Sequence, residues 1–216
     1  MNTKSEVITF GCRLNTYESE VIKKQTKAAK LNNSIIFNTC AVTLEAERQA
    51  RQAIRRAKKN KPDAEIIVTG CAAQINPRKW ASMPEVTRVI GNIEKLELSS
   101  FKNNYQHPII SVNDIMAVKE QAGHLVAGFD GRTRAYVEVQ QGCDHRCSFC
   151  IIPFGRGNSR SVPFGEIVSQ VQSLVEVGYK ELILTGVDLT SYGSDLPGKP
   201  KLGQVIRRLL KLDPDL

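Results

Sequence analysis

Short apolar runs alternate with longer amphipathic segments along the first part of the chain. Each gap between successive apolar runs leaves room for one helix, and this alternation is typical of a parallel sheet flanked by helices. Thr43 and Asn15 are suitable N-cap residues for two of the helices. The predicted strands cover residues 6–10, 34–37, 65–69 and 87–90, and the predicted helices cover 15–30, 43–60, a short stretch after 76, and 93–100.

The alternation of apolar runs and amphipathic segments becomes less regular after residue 101 and resumes at residue 134. Residues 102–133 mix polarities and contain several turn-forming residues, which predicts an interdomain connection with a short strand at 109–112. Strands at 134–139 and 181–185 and helices at 161–178 and 202–212 follow it. We therefore expect an N-terminal domain at 1–101, a connection at 102–133 and a second domain at 134–216.

The composition is that of a folded, soluble protein with an excess of positive charge. The chain has 216 residues, of which 41% are hydrophobic, so it can bury a real core and is not disordered. No apolar run approaches the ~20 residues of a membrane span, and no signal peptide is evident, so we expect a soluble, cytoplasmic protein with no membrane partner. The formal charge of +8 favours polyanionic partners such as nucleic acid.

Three of the six cysteines follow the first three predicted strands. These residues are Cys12, Cys40 and Cys71. The cytosol keeps thiols reduced, so metal or redox chemistry is a better interpretation than disulfides. The carboxyl ends of neighbouring parallel strands meet at one edge of a sheet, so we expect the three thiols to lie together there. Three unrelated core cysteines are the alternative.

The other three cysteines, Cys143, Cys147 and Cys150, form a C-x-x-x-C-x-x-C loop after a predicted strand. Three thiolates on one tight loop can hold three irons of a four-iron cluster. The fourth iron would stay open to a small molecule, as in catalytic metal sites. Zinc is the main alternative, although only His145 lies nearby as a further ligand.

This loop, with Phe149 just before its last cysteine, resembles the radical S-adenosylmethionine superfamily. The resemblance implies that the methionine group of S-adenosylmethionine chelates the open iron and that Phe149 packs near the adenine. Ordinary core packing is the alternative for Phe149. Gly186 and Asp188 follow a strand at the end where βα barrels place their sites, so they are candidates for contacting the methionine moiety; a plain turn is the alternative. The expected fold is α/β, with an N-terminal open parallel-sheet domain followed by the start of a radical-SAM βα barrel (a partial TIM-like barrel).

The order of motifs is similar to that of the methylthiotransferase family. The matching stretches are residues 10–15 with 18–20, then 38–43, 69–71 and 141–157. The resemblance implies two 4Fe-4S clusters, an auxiliary one on the first cysteine group and a radical-generating one on the second. It implies that one S-adenosylmethionine methylates a sulfur held at the auxiliary cluster and that a second supplies the radical.

The substrate branch is indicated by residues 13–18 and 45–51. They look most like the branch that adds a methylthio group to C2 of N6-threonylcarbamoyladenosine next to the anticodon in tRNA. Isopentenyladenosine in tRNA and an aspartate of a small-subunit ribosomal protein are the alternatives. The implied partners are the tRNA anticodon stem-loop and an electron donor such as a flavodoxin or ferredoxin.

Basic residues supply further candidates for nucleic-acid contact. A predicted helix carries Arg and Lys repeatedly over 48–61, which could grip an RNA stem or merely form a solvated face. Arg156 and Arg160 could bind nucleic acid or a cofactor carboxylate, or face solvent. Only two strands follow residue 133, fewer than a βα barrel needs, so we expect a fragment, a truncated gene product or one piece of a split enzyme. A non-catalytic iron-sulfur or RNA-binding remnant and a zinc-stabilised RNA-binding module are the non-enzyme alternatives.

Overall fold

The first sheet consists of five parallel strands arranged in chain order. The computed structural model describes residues 4–102, 107–119, 124, 126, 128–129 and 131–212. The predicted connection at 102–133, part of which lies outside the described residues, supplies the fifth strand. The strands are β1 (Glu6–Thr9), β2 (Ser34–Thr39), β3 (Glu65–Gly70), β4 (Arg88–Ile90) and β5 (Ile110–Ser111).

Helices cover both faces of this sheet. Successive side chains of a strand point to opposite faces, so β2 contributes to two cores. Ile35 and Phe37 belong to one core with Ile54, whereas Ile36 belongs to the other with Ile22. Burying each such side chain contributes about 1.5–3 kcal/mol to folding. The helices are α1 (Arg13–Ala28), α2 (Leu44–Asn60), α3 (Cys71–Ile75) and α4 (Pro77–Ala81).

The prediction that Asn15 caps the first helix is wrong. Helix α1 begins at Arg13, and Cys12 occupies the N-cap position without a side-chain capping bond. Asn15 is fully buried instead, and its amide donates hydrogen bonds to the carbonyl oxygens of Phe10 at 2.7 Å and Thr39 at 3.0 Å. The side chain thus joins the ends of β1 and β2, a tertiary role that local sequence does not reveal.

Other local predictions agree with the structure more closely. The Thr43 hydroxyl accepts a hydrogen bond from the Ala46 amide at 3.1 Å, which confirms Thr43 as the N-cap of α2. The helix predicted at 93–100 is present only as two short 3₁₀ turns, Glu94–Leu96 and Leu98–Phe101.

The second part of the chain contains a parallel strand pair and a small antiparallel ribbon. Strands β6 (Arg134–Glu138) and β9 (Glu181–Thr185) pair in parallel, and helix α6 (Phe164–Glu176) lies between them in the chain. Strands β7 (Gln140–Gln141) and β8 (Arg160–Ser161) pair antiparallel, and they bracket the cysteine loop and helix α5 (Ile152–Arg156). Helix α7 (Leu202–Leu212) packs near α6. The ribbon and α5 were not predicted from the sequence.

Helix α1 is shared by the two parts of the molecule. Its residue Ile22 faces the first sheet, whereas Tyr17 and Val21 belong to the same core as Val137 of β6 and Ile167 of α6. The helix is therefore enclosed on two sides, and this fixes the carboxyl edge of the first sheet beside the ribbon. Within the described residues, no helix combines the length and apolar character needed to cross a membrane.

Candidate metal centres at the domain boundary

The first cysteine group lies at the carboxyl edge of the first sheet. Cys12 caps α1 and is exposed, Cys40 directly follows β2 and is buried, and Cys71 is the first residue of α3. All three are free thiols. Burial raises the pKa of the Cys40 thiol, and the neighbouring Cys71 and Cys12 thiols raise it further. The Cys40 thiol therefore lies near enough to Cys71 and Cys12 to be affected by their charge, and a bound cation would offset that repulsion.

Gly11 leaves the space that this arrangement of cysteines requires. Its φ is +97°, and a Cβ placed there would lie 2.5 Å from the Cβ of Cys40 and 2.7 Å from its Sγ. A larger residue would therefore displace Cys40 and would also be strained at this φ. The glycine that directly precedes Cys12 therefore has a structural reason.

The second cysteine group sits on a loop held by its own polar residues. The Arg146 guanidinium donates to the Cys143 carbonyl oxygen at 2.7 Å and to the Asn158 Oδ1 at 2.6 Å. The Cys143 amide donates to the Gly157 carbonyl oxygen at 3.1 Å, and the Cys150 amide donates to that of Cys147 at 3.0 Å. The loop is therefore held in shape by its own side-chain and backbone hydrogen bonds.

Gly142 makes the close approach between β7 and the end of α5 possible. Its φ is +70°, and an added Cβ would lie 2.5 Å from the Asn158 carbonyl carbon and nearer still to the carbonyl oxygen. The clash would be with backbone, which cannot move aside as a flexible side chain can. Like Gly11, this glycine directly precedes a cysteine.

Gln140 connects the cysteine loop to the loop after β9. Its Nε2 donates to the carbonyl oxygens of Gln141 at 2.9 Å and Gly142 at 2.7 Å, and its Oε1 accepts from the amides of Val187 and Asp188 at 2.9 and 2.8 Å. A Cβ on Gly186 would lie 3.0 Å from the same Oε1. Gly186 and Asp188 therefore lie beside the cysteine loop, and packing against Gln140 explains the glycine structurally.

Two further polar groups extend this second site. The Asp188 carboxylate accepts hydrogen bonds from Thr190 and Ser191, which hold its pKa below the usual range, and it lies 3.2 Å from His145 Nε2. One ligand atom from each of Cys143, His145 and Asp188 lies within 4.8 Å of the other two. Phe149, by contrast, is 90% exposed, so the core-packing alternative for its ring is not what the structure shows.

Arg156 links the segment after the second cysteine group to Cys71 of the first group. It ends α5, six residues after Cys150, yet its guanidinium lies among residues of the first domain. Its Nε lies 3.1 Å from the Cys71 Sγ, Nη2 lies 3.0 Å from Glu18 Oε2, and Nη1 lies 3.2 Å from Gln141 Oε1. Further hydrogen bonds join Nη1 to Glu18 and Nη2 to Asn15. The side chain is 3% exposed, so the solvent-facing alternative is wrong.

A buried acid and a buried base complete this polar cluster. Burial acts to raise the pKa of the Glu18 carboxyl, but Arg156 and Lys95 together hold it below its usual range. Lys95 is fully buried, which lowers its pKa, and its Nζ donates to Glu18 at 2.7 Å and to Asn92 Oδ1 at 2.6 Å. Glu18 therefore accepts from two cations that come from different parts of the chain.

Sequence reasoning missed most of this polar cluster. Glu18 and Gln141 lie in matched motif stretches that predict no role for them, and Lys95, Asn92 and Gln140 give no local signal. The sequence predicts that Arg160 either binds nucleic acid or a cofactor carboxylate, or faces solvent. In the structure it is 2% exposed, and its guanidinium donates to the Arg156 carbonyl oxygen at 3.0 Å. Lys95 is fully buried although lysine usually faces solvent, because Glu18, Asn38 and Asn92 enclose its ammonium group.

Comparison with known proteins identifies both halves of the chain. The model of uncharacterized protein family UPF0004 matches residues 4–91, and that of the Radical SAM superfamily matches residues 137–215. The threonylcarbamoyladenosine tRNA methylthiotransferase MtaB of Rickettsia prowazekii is 60% identical over 215 residues, which are 100% of this chain and 51% of that protein. Over its whole length the chain is thus similar to a radical S-adenosylmethionine methylthiotransferase.

More distant methylthiotransferases are also similar to this chain. MtaB of Bacillus subtilis is 38% identical over 87% of this chain and 44% of its own length. The ribosomal protein uS12 methylthiotransferase RimO of Christiangramia forsetii is 32% identical over 99% of this chain and 48% of its own length. The resemblance to the threonylcarbamoyladenosine branch is thus confirmed, and the chain spans about half the length of the curated relatives it matches.

Solved structures support the predicted fold class. The radical S-adenosylmethionine methyltransferase TsrM of Kitasatospora setae, with tryptophan substrate and a SAM analogue bound, superposes with a TM-score of 0.63 at 13% identity. The match covers 99% of this chain and 52% of that chain. At this identity the likeness concerns the fold alone. It confirms a parallel-sheet α/β domain followed by part of a radical-SAM domain.

Proposed function

We propose that the protein carrying this chain adds a methylthio group to C2 of N6-threonylcarbamoyladenosine next to the anticodon in tRNA. The observation that carries the proposal is the 3.1 Å contact between Arg156 Nε and Cys71 Sγ, because it joins the segment that follows the second cysteine group to a cysteine of the first group. Methylthiolation requires a carbon to be activated and a sulfur to be delivered at one place. The 60% identity to a protein named for this reaction selects the substrate.

The two cysteine groups fit two 4Fe-4S clusters. Thiolates are the ligands that such clusters prefer, and each group offers three free thiols. Cys143, Cys147 and Cys150 would hold the radical-generating cluster on their loop. Cys12, Cys40 and Cys71 would hold the auxiliary cluster at the sheet edge. When bound, a cluster with one open iron supplies the electron that cleaves S-adenosylmethionine to a carbon radical.

The S-adenosylmethionine site is proposed beside the second group. The exposed ring of Phe149 offers a free aromatic face next to Cys150, suited to stacking on an adenine. Asp188 offers a carboxylate to the methionine ammonium group, and its hydrogen bonds from Thr190 and Ser191 keep it ionised. Gly186 lets the loop after β9 approach Gln140, which keeps Asp188 beside Cys143.

The same proposal includes the domains, partners and location. We propose domains at 1–101 and 134–216 joined by 102–133, the tRNA anticodon stem-loop as substrate, a flavodoxin or ferredoxin as electron donor, and a cytoplasmic location. Helix α2 supports RNA contact, since Arg56 and Lys59 are exposed on it. Other cations of the helix are already paired, as Arg48 is with Glu45 at 2.6 Å.

The test measures both metal content and product. The complete protein is purified anaerobically, reconstituted, and assayed with tRNA lacking the methylthio group; nucleosides are then analysed by mass spectrometry. We expect about eight irons per chain, falling to about four in a Cys143→Ala/Cys147→Ala/Cys150→Ala variant. Ser148→Ala changes an exposed side chain of the same loop and serves as the matched control.

The products distinguish the roles of the two groups. A Cys12→Ala/Cys40→Ala/Cys71→Ala variant should still produce 5′-deoxyadenosine but no methylthiolated nucleoside. The loop variant should produce neither. Methylthiolation of isopentenyladenosine or of the ribosomal protein, with threonylcarbamoyladenosine untouched, would assign a different substrate. A full iron complement without turnover would favour the non-catalytic remnant.

A zinc-binding RNA module is the second candidate. The proximity of Cys143, His145 and Asp188 favours it, because thiolate, imidazole and carboxylate are all zinc ligands. This candidate predicts zinc without iron or acid-labile sulfide in the purified protein. It further predicts that His145→Ala releases the metal, whereas three-cysteine ligation predicts that His145→Ala retains the iron.

A further inference from the structure

Arg156 is the one residue of the second domain whose side chain is shown bonding to a cysteine sulfur of the first. The described contacts of Cys71 Sγ also include Asn92 Nδ2, at a longer 3.8 Å. The Arg156 contact at 3.1 Å is short for an N–H donor to sulfur. A charge-assisted donor of this kind is therefore aimed at one particular thiol of the group.

The orientation of the guanidinium is fixed on its other edges. Glu18 accepts from Nη1 and Nη2, Asn15 accepts from Nη2, and Gln141 accepts from Nη1. Because these acceptors bond to Nη1 and Nη2, the Nε–H group is left to donate to the Sγ of Cys71. A guanidinium stays protonated in proteins, so this donor is present at every physiological pH.

We propose that Arg156 is a positioning residue that sets the reduction potential of the auxiliary cluster by donating its Nε–H to the Cys71 thiolate. The inference rests on the proposed function, in which Cys71 is a ligand. Hydrogen bonds to ligand sulfurs and nearby charges are among the factors that set iron-sulfur potentials. A donor to sulfur stabilises the reduced cluster more, because that state carries more negative charge, and so raises the potential.

The hydrogen bond and the positive charge make separable contributions. Arg156→Lys keeps a cation opposite Glu18 but removes the planar fork that aims Nε–H at Cys71. Arg160→Lys changes an equally buried arginine nearby that bonds to the carbonyl oxygens of Asn158 and Arg156, and it is the matched control. Arg156→Gln combined with Glu18→Gln removes both charges and avoids an unpaired buried carboxylate.

The experiment follows the auxiliary cluster alone. The Cys143→Ala/Cys147→Ala/Cys150→Ala background removes the other cluster, and redox titration monitored by electron paramagnetic resonance gives the midpoint potential. We expect Arg156→Lys to lower the reduced-to-oxidised ratio at fixed potential about tenfold, a shift of about 59 mV for one electron. Arg160→Lys should leave the midpoint unchanged.

A second measurement detects the contact between Arg156 and the cluster directly. Pulsed spectroscopy of the reduced background protein, labelled with ¹⁵N-arginine, should show a nitrogen coupled to the cluster, and Arg156→Lys should abolish that coupling. An unchanged midpoint together with an absent coupling overturns this inference and leaves the proposed function intact. Absence of any cluster in the background protein overturns the proposed function, and this inference with it.

Discussion

Each of two glycines makes room for one cysteine group, so substituting them should remove the two groups' metal separately. An alanine at Gly11 would adopt a φ of +97° and place its Cβ 2.5 Å from the Cβ of Cys40. An alanine at Gly142 would adopt +70° and place its Cβ 2.5 Å from the carbonyl carbon of Asn158. Neither site can accept a methyl group without moving the adjoining cysteine or the backbone that holds it.

The expected energetic cost has two components. A left-handed conformation costs an L-residue about 1–2 kcal/mol. Overpacking a filled site adds about 1–3 kcal/mol. The total of roughly 2–5 kcal/mol is a large part of a domain's stability, and the structure would relieve it by displacing the cysteines.

The assay combines iron content with unfolding by urea. Gly11→Ala should lose the iron of the auxiliary group and retain that of the loop, and Gly142→Ala should do the reverse. Gly165→Ala is the control, because Gly165 lies in α6 with nothing within 4 Å of an added Cβ. It should keep all the iron and gain about 0.5–1 kcal/mol of stability. Full iron in both Gly11→Ala and Gly142→Ala, with unchanged stability, would refute the reasoning.

Two further predictions concern charge. Burial, with the Glu18 charge, raises the pKa of Glu138 to about 8. The folded protein therefore binds a proton that the unfolded chain releases between pH 4.5 and 8. This contribution to stability is present at low pH and is lost as pH rises, by at most about 1.4 kcal/mol per pH unit. Urea titrations at several pH values should show that the free energy of unfolding depends less on pH in Glu138→Gln than in the unchanged protein. The same pH dependence in both proteins would contradict the raised pKa of Glu138. For RNA contact by α2, Arg56→Gln/Lys59→Gln should weaken tRNA binding and reduce the slope of log K against log salt by up to about 2. Arg48→Gln is the control, and equal effects of both variants on filter-binding titrations would argue against a specific contact.

The sequence by itself determined the features that depend on neighbouring residues. Apolar runs and helical periods placed the strands and helices, and Cys12, Cys40 and Cys71 lie after β1, β2 and β3, as the run boundaries indicated. The spacing of Cys143, Cys147 and Cys150 was also sufficient to predict a loop. These signals are local, because secondary structure and strand ends are encoded within a few residues.

Only the tertiary structure decided what joins the two cysteine groups. Arg156 and Glu18 are 138 residues apart, and Lys95 and Glu18 are 77 apart. In isolation each is a charged residue of the kind that usually faces water. In the folded chain all three are buried, and burial requires each charge to find a partner. That requirement acts through space rather than along the chain, so no local pattern could have revealed Arg156 beside Cys71.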